Sequence, residues 1–162
     1  MERLYEAAVR LALGEQPAEE LPMVAAGALA RGVDGPALRA LAGLSRHDPS
    51  VELFREAMDE LGAPVPAPRE ARLWRMRRTA EAAVAGRRGP RPASDEIYWS
   101  ACRLDRSPFA VEVTDRFLGL CLAWDEHPAE RPAVEEAMRE AFRDLLRRLP
   151  PGPGPGHGRA AG

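Results

Sequence analysis

Apolar side chains recur every three or four residues along most of this 162-residue chain. That spacing places them on one face of an α-helix, and no run of four to eight residues shows the alternation that predicts a strand. Aromatic residues make up only 6% of the chain, which favours helices because strands are enriched in aromatic and β-branched side chains. The sequence therefore predicts an all-α fold, an irregular bundle of about seven to eight helices.

Glycine, proline and capping residues divide this pattern into separate helices. Gly14, Gly32 and Gly62 each follow an apolar stripe and predict a helix end. Asp48, which stands before a proline, and Ser94, which stands before two acidic residues, predict helix starts as N-caps. The predicted helices cover about 2–13, 18–31, a short segment from 36, 49–61, 69–85, 94–104, 108–124, and a last segment from 128 or 132 to 149.

The seventh predicted helix, which begins at Ser107-Pro108, carries apolar residues around nearly its whole circumference. A helix with that distribution is usually covered on most sides. We therefore expect it to lie at the centre of the bundle.

The proline-rich segment 63–68 interrupts the helical pattern and reads as a stiff extended connector. We predict a single helical domain over 1–149, with two halves, 1–62 and 69–149, packed across this connector. From 150 to 162 the sequence is almost entirely proline and glycine, which cannot bury enough apolar area to fold. This tail is predicted to be disordered.

Charge is distributed unevenly along the chain although the net charge is only −2. One segment, 67–91, is basic between two acidic ones, and a basic surface attracts acidic or phosphate-bearing partners. The predicted partner-contact residues are its arginines: Arg69, Arg72, Arg75, Arg78, Arg87, Arg88 and Arg91. The alternative is that the segment packs beside the acidic fourth and eighth helices and is neutralised within the fold. All 23 basic residues are arginine, which is typical of a GC-rich genome and is no sign of arginine-specific chemistry.

The residue types that carry chemistry do not form a recognisable catalytic, cofactor-binding or metal-binding pattern. Potential ligands cluster only at His47-Asp48 and at Asp125-Glu126-His127, and both places read as helix corners; a zinc site needs three or four ligands at suitable spacing. We predict no catalytic residues, no metal and no cofactor. The two cysteines are expected to be free thiols in a reducing compartment.

The segment Ala28–Leu41 has the spacing of a helix-turn-helix, so a DNA-binding regulator is the alternative function. A DNA-reading helix needs polar or basic residues facing the duplex, and the second helix here offers essentially Arg39 alone. Nucleic acid is therefore not the expected partner. An enzyme with a cryptic pocket between helices is a second alternative.

No stretch of the sequence is apolar for long enough to span a bilayer, and its beginning has no secretory signal pattern. We expect a cytoplasmic protein that does not enter a membrane. Its expected partner is another protein of acidic character, and the oligomeric state stays open.

The stretch Leu21–Ser45 and the corner Trp124-Asp125-Glu126-His127-Pro128 resemble small uncharacterised all-helical proteins that recur in actinobacteria. The resemblance implies an all-helical cytoplasmic protein, with a role near competition or immunity loci, and it carries no catalytic residues. We therefore expect a non-enzymatic protein-interaction module of an immunity-type or regulatory kind.

Overall fold

The computed structural model describes residues 1–151, so the tail predicted to be disordered lies outside the described residues except for its first two prolines. Within this range the chain forms eight α-helices, two short 3₁₀ turns and no strand. The predicted all-α fold is confirmed. The helices are α1 Glu2–Ala12, α2 Leu21–Leu29, α3 Pro36–Ala42, α4 Val51–Glu60, α5 Pro68–Val84, α6 Pro90–Cys102, α7 Pro108–Glu126 and α8 Arg131–Arg148.

Contacts within the described chain form two compact units, residues 1–71 and the residues from Arg72 onward. The division falls inside α5, just after the proline connector, where Pro68 is already the first helical residue. Unit 1 holds α1 to α4 around its own core, because the stripe of each helix is apolar. Its largest fully buried side chains are Phe54, Leu4, Leu21, Leu38, Leu41 and Met58.

Unit 2 has a separate core between α5, α6, α7 and α8. The rings of Phe117 on α7 and Phe142 on α8 stack with centroids 5.7 Å apart and planes inclined by 23°. Around them pack Met76, Ile97 and Met138, all fully buried, and several buried alanines. The buried residues that α5 and α6 contribute to this core include the small side chains Ala80, Ala83, Ala93 and Ala101.

Glycines end helices of unit 1 where the sequence pattern predicts it. Gly32 has φ +83° and Gly62 has φ +67°, left-handed values that glycine adopts without steric cost. The start of α7 is also as predicted: Ser107 is its N-cap, and its hydroxyl accepts a hydrogen bond from the Ala110 N–H.

Two predicted helix starts are wrong. The fourth helix does not begin at Asp48: its N-cap is Ser50, and the Asp48 carboxylate instead accepts a hydrogen bond from the Ser45 N–H at 2.8 Å, closing a turn. The sixth helix begins four residues before Ser94, with Gly89 as N-cap and Pro90 as its first residue. Ser94 is fully buried inside α6. Tertiary burial of the Ala93–Ile97 face therefore outweighed the local capping preference.

Two further expectations need correction. The helix predicted over 18–31 is a 3₁₀ turn, Ala18–Glu20, followed by α2, whose second residue is Pro22. The seventh helix is not covered on most sides: Val111, Leu118 and Leu122 are 48%, 37% and 47% exposed. The fold buries one face of α7 and leaves this apolar face in solvent.

Candidate interaction site

The arginines of the basic segment largely have partners inside the described chain. Arg69, Arg72, Arg75 and Arg78 each make interactions of their own. On α5, Arg78 also forms an ion pair with Glu81 at 3.3 Å. These side chains are therefore engaged within the fold.

Arg77, which lies on the same helix, has a structural role. Its guanidinium pairs with Glu81 at 3.0 Å and donates to the carbonyl oxygens of Leu146, Leu149 and Pro150 at 3.4, 3.2 and 3.1 Å. The last carbonyls of a helix lack partners and carry partial negative charge. Arg77 satisfies them at the end of α8.

Arg88 and Arg91 are also neutralised. Arg88 forms an ion pair with Glu96, and Arg91 contacts Asp125 at 2.9 Å and Asp95 at 3.4 Å. The hydrogen bond from Arg91 lowers the pKa of Asp125 and raises the pKa of Arg91. The carboxylates shown around the segment thus belong to α5, α6 and α7, whereas the alternative in the sequence analysis named the fourth and eighth helices.

Arg87 is the exception among the seven predicted contact residues. It is exposed, in the turn between α5 and α6, and residues 1–151 give its side chain no ion pair or hydrogen bond. A single exposed arginine is a weak attraction for a partner. The ion pairs shown therefore compensate Arg77, Arg78, Arg88 and Arg91 but not Arg87.

The corner around Trp124 at the end of α7 is held by contacts of the indole ring and the backbone with residues of α8. The Arg131 guanidinium lies 3.9 Å from the centre of the Trp124 ring, and its Nε donates to the Trp124 carbonyl oxygen at 3.1 Å. The indole N–H donates to Glu135 at 3.4 Å. These contacts join α7 to α8 and explain the Trp124–Pro128 motif as a structural one.

An exposed apolar stripe on α7 is the feature that the sequence analysis missed. Val111, Leu118 and Leu122 follow one another at intervals of seven and four residues, which places them on one helix face. On α6, Trp99 is 50% exposed and meets the Tyr98 ring edge-on, with centroids 5.0 Å apart. The signal that could have revealed the stripe is Asp115, a carboxylate between Val111 and Leu118 that a covered face would not tolerate.

Trp99 and the stripe belong to the same side of the α6–α7 hairpin. The Arg91–Asp125 pair joins the start of α6 to the end of α7, so the two helices are antiparallel and Trp99 lies near the level of Leu118. Asp95, four residues before Trp99, and Asp125, seven residues after Leu118, share the Arg91 guanidinium, which places the exposed Trp99 and Leu118 on the same side of the hairpin. We call Trp99, Val111, Leu118 and Leu122 the hairpin patch.

Charges without ion-pair partners in the described chain border the hairpin patch. Arg103 follows Trp99 by four residues and Arg106 lies in the turn before α7. These two arginines therefore lie at the end of the patch where α7 begins. Glu126 follows Leu122 by four residues and Glu130 lies in the 3₁₀ turn beyond it. These two glutamates therefore lie at the end of the patch where α7 stops. Asp115 is the carboxylate within the stripe.

The charged groups in the groove between α7 and α8 are arranged as ion pairs. The groove between α7 and α8 is crossed by the pairs Arg148–Glu112, at 2.6 Å, and Arg116–Asp144, at 2.8 Å. These arginines lower the pKa values of Glu112 and Asp144. A general acid needs a carboxyl pKa raised towards neutrality, so these carboxylates are poorly suited to that role.

Metal and thiol chemistry gain no support from the described residues either. His47 and His127 are exposed, and no group of three or more potential ligands forms within residues 1–151. Cys102 and Cys121 are both free. Burial raises the pKa of Cys121, which works against a reactive thiolate.

The helix-turn-helix segment meets acidic groups where a DNA-binding helix would meet phosphates. Arg39, the basic residue of α3, is paired with Asp34 at 2.6 Å. At the start of α3, the Glu60 carboxylate accepts a hydrogen bond from the Ala37 N–H at 3.0 Å. The carboxylates of Asp34 and Glu60 therefore oppose the approach of a phosphate.

No protein-family model, curated protein or solved structure matches the chain. The resemblance to actinobacterial helical proteins thus stays a prediction. Across the described residues, none of the helices combines the length and apolar character needed to cross a bilayer.

Proposed function

We propose that this chain is a non-enzymatic interaction module that binds another protein chain through the hairpin patch. The observation that carries the proposal is the exposure of the apolar face of α7. Contiguous apolar patches on a protein surface mark interaction sites, and burying them against a partner yields about 25 cal/mol per Å². Trp99 adds the type of side chain that most often anchors an interface.

The basic segment supports the proposal less strongly. An acidic partner would have to displace Glu81, Glu96 or Asp125 before the paired arginines could contact it, and exchanging one ion pair for another gains little. We therefore assign Arg77, Arg88 and Arg91 to the fold. Arg87 is the residue of this segment that remains available for a partner.

The cellular role proposed here is that of a cytoplasmic partner protein of an immunity-type or regulatory kind. Its support is the resemblance described above together with a surface suited to binding. The DNA-binding alternative rests on the helix-turn-helix spacing alone, and the pairing of Arg39 and the Glu60 carboxylate at the start of α3 disfavour it.

Site-directed photo-crosslinking in the organism that encodes the chain tests the proposal. A benzophenone label is attached to a cysteine introduced by Asp115→Cys, in a Cys102→Ser background, so that it lies within the hairpin patch. The matched control carries the label at Glu140→Cys, an exposed acid on α8 without an ion-pair partner in the described chain.

We expect the label at 115 to capture a defined protein, and the added substitution Leu118→Asp to abolish the capture. The label at 140 is expected to capture nothing comparable. Equal labelling from both positions, or no adduct at 115, would show that the patch is not a binding surface.

A further inference from the structure

We propose that the hairpin patch pairs with the hairpin patch of a second copy of the chain, with the two α7 helices antiparallel. This inference rests on the proposed function and names the partner of the same surface. It follows from the order of charges along the patch, from a glycine on its flank and from its size.

The charges of the patch that have no ion pair in the described chain are complementary to themselves, whereas Asp105, between the two arginines, has an interaction of its own. Arg103 and Arg106 lie at the end where α7 starts, and Glu126 and Glu130 lie at the end where it stops. A two-fold axis across the middle of α7 brings the basic end of each copy opposite the acidic end of the other. A parallel arrangement would oppose like charges at both ends, which disfavours it.

Gly119 lies at the midpoint of the stretch from Val111 to Glu126. Glycine lowers helix stability by roughly 1 kcal/mol relative to alanine, and among residues 1–151 nothing lies within 4 Å of a Cβ placed there. The monomer thus gives no packing reason for glycine at this exposed position. Gly119 lies about 100° around the helix from Leu118, on the flank of the stripe beside Asp115 and Leu122. A second helix that packs on this flank does give a reason, because the missing side chain lets the two backbones approach.

The size of the surface predicts weak association. α7 has 19 residues and a length of about 28 Å, and stable interfaces bury roughly 800 Å² per partner. The four apolar side chains of the patch supply only part of such an area, and Asp115 must lose water as the patch closes. We expect a dimer with a dissociation constant in the micromolar range, populated at high concentration.

Sedimentation equilibrium of the purified full chain tests the pairing. We expect the mass to rise from one chain to two with concentration, and Leu118→Asp to give a monomer that keeps its helical circular dichroism. Gly119→Gln separates pairing from folding: it should raise the melting temperature of the dilute monomer while weakening the dimer at least tenfold. A monomer at every concentration, or a dimer that tolerates both substitutions, would overturn the inference.

A charge exchange tests the antiparallel orientation. Arg106→Glu alone and Glu126→Arg alone should each weaken the dimer several-fold, and the two together should restore it, because an antiparallel pair then regains opposite charges at both ends. Arg87→Glu and Glu140→Arg repeat the same charge changes outside the patch and should have no effect. A double variant weaker than either single one would exclude the antiparallel dimer.

The two proposals fail in different ways. If the pure chain is monomeric while the label at 115 captures a different protein, the patch binds a partner but not itself, and the inference alone is wrong. If the label captures nothing and the chain is monomeric, both are wrong.

Discussion

Arg77 on α5 donates a hydrogen bond to the carbonyl oxygen of Leu149, 3.2 Å away, just beyond the end of α8. The contact connects residues 72 positions apart in the sequence. Arg77 belongs to the basic segment, which the sequence associated with a partner. In the structure it caps a helix of its own unit instead.

Removing this cap should destabilise the fold. Arg77→Met leaves the last carbonyls of α8 without a charged donor, and we expect a loss of about 1–2 kcal/mol in the free energy of unfolding. Urea denaturation followed by circular dichroism measures it. Arg139→Met, which removes a half-buried arginine whose ion pairs in the described chain are with Glu135 and Glu136, should cost less than about 0.5 kcal/mol. Equal losses would contradict the capping role.

Two leucines make a matched test of which face of α7 is exposed. Leu145 on α8 is 2% exposed and Leu122 on α7 is 47% exposed. Leu145→Ala should lower the free energy of unfolding by about 2–4 kcal/mol because it opens a cavity, whereas Leu122→Ala should change it by less than about 0.5 kcal/mol. Denaturation at low protein concentration avoids any effect of pairing. A large loss at Leu122 would mean that α7 is covered, as the sequence alone suggested.

Two serines separate a true helix cap from a false one. Ser107→Ala removes the hydroxyl that accepts from the Ala110 N–H, and we expect it to cost about 1 kcal/mol. Ser94→Ala should be neutral or stabilising, because the buried Ser94 hydroxyl has no hydrogen-bond partner in the described chain. The shift in melting temperature reports both. The opposite order of the two shifts would restore Ser94 as the start of a helix.

Acid should weaken unit 2 through its ion pairs. Arg116 and Arg148 hold the pKa values of Asp144 and Glu112 below their ordinary values. These carboxylates therefore contribute stability that is present above the unfolded carboxyl pKa of about 4 and is lost as the pH falls through the lower folded values. We expect the melting temperature to fall progressively from about pH 5 downward.

The control for this effect compares the substitution of a paired arginine with that of an arginine without an ion pair in the described chain. Arg116→Met should flatten the dependence on pH, because the pKa of Asp144 then returns towards its unfolded value. Arg106→Met, which removes an arginine that has no ion pair in residues 1–151, should leave the slope of the parent chain unchanged. Identical slopes for all three chains would show that the ion pairs do not govern acid stability.

Sequence reasoning predicted the helices well where a local signal acts alone. The stops at Gly32 and Gly62 and the start at Ser107 are confirmed, because a left-handed turn and an N-cap depend on residues within one helical turn. It failed at Asp48 and Ser94, which are equally good caps by residue type. Asp48 closes a turn instead, and the burial of Ser94 in unit 2 extends α6 past the predicted start.

The candidate site was the least predictable part. The basic segment is visible as a run of arginines, but Asp125 and Leu149, which contact Arg91 and Arg77, are far away in the sequence. Local charge therefore could not show that these two arginines are engaged within the fold. The hairpin patch was hidden for the opposite reason. Val111, Leu118 and Leu122 look like core residues because hydrophobicity alone does not tell which apolar face a neighbouring helix will cover.

The sequence by itself determined that this chain is helical and where most of its helices end, since the periodicity of apolar residues and the preferences of glycine and serine act over a few positions. Only the tertiary structure decided which charges are paired and which apolar face of α7 stays in solvent. Those outcomes depend on contacts between residues tens of positions apart, where packing and desolvation outweigh local preference.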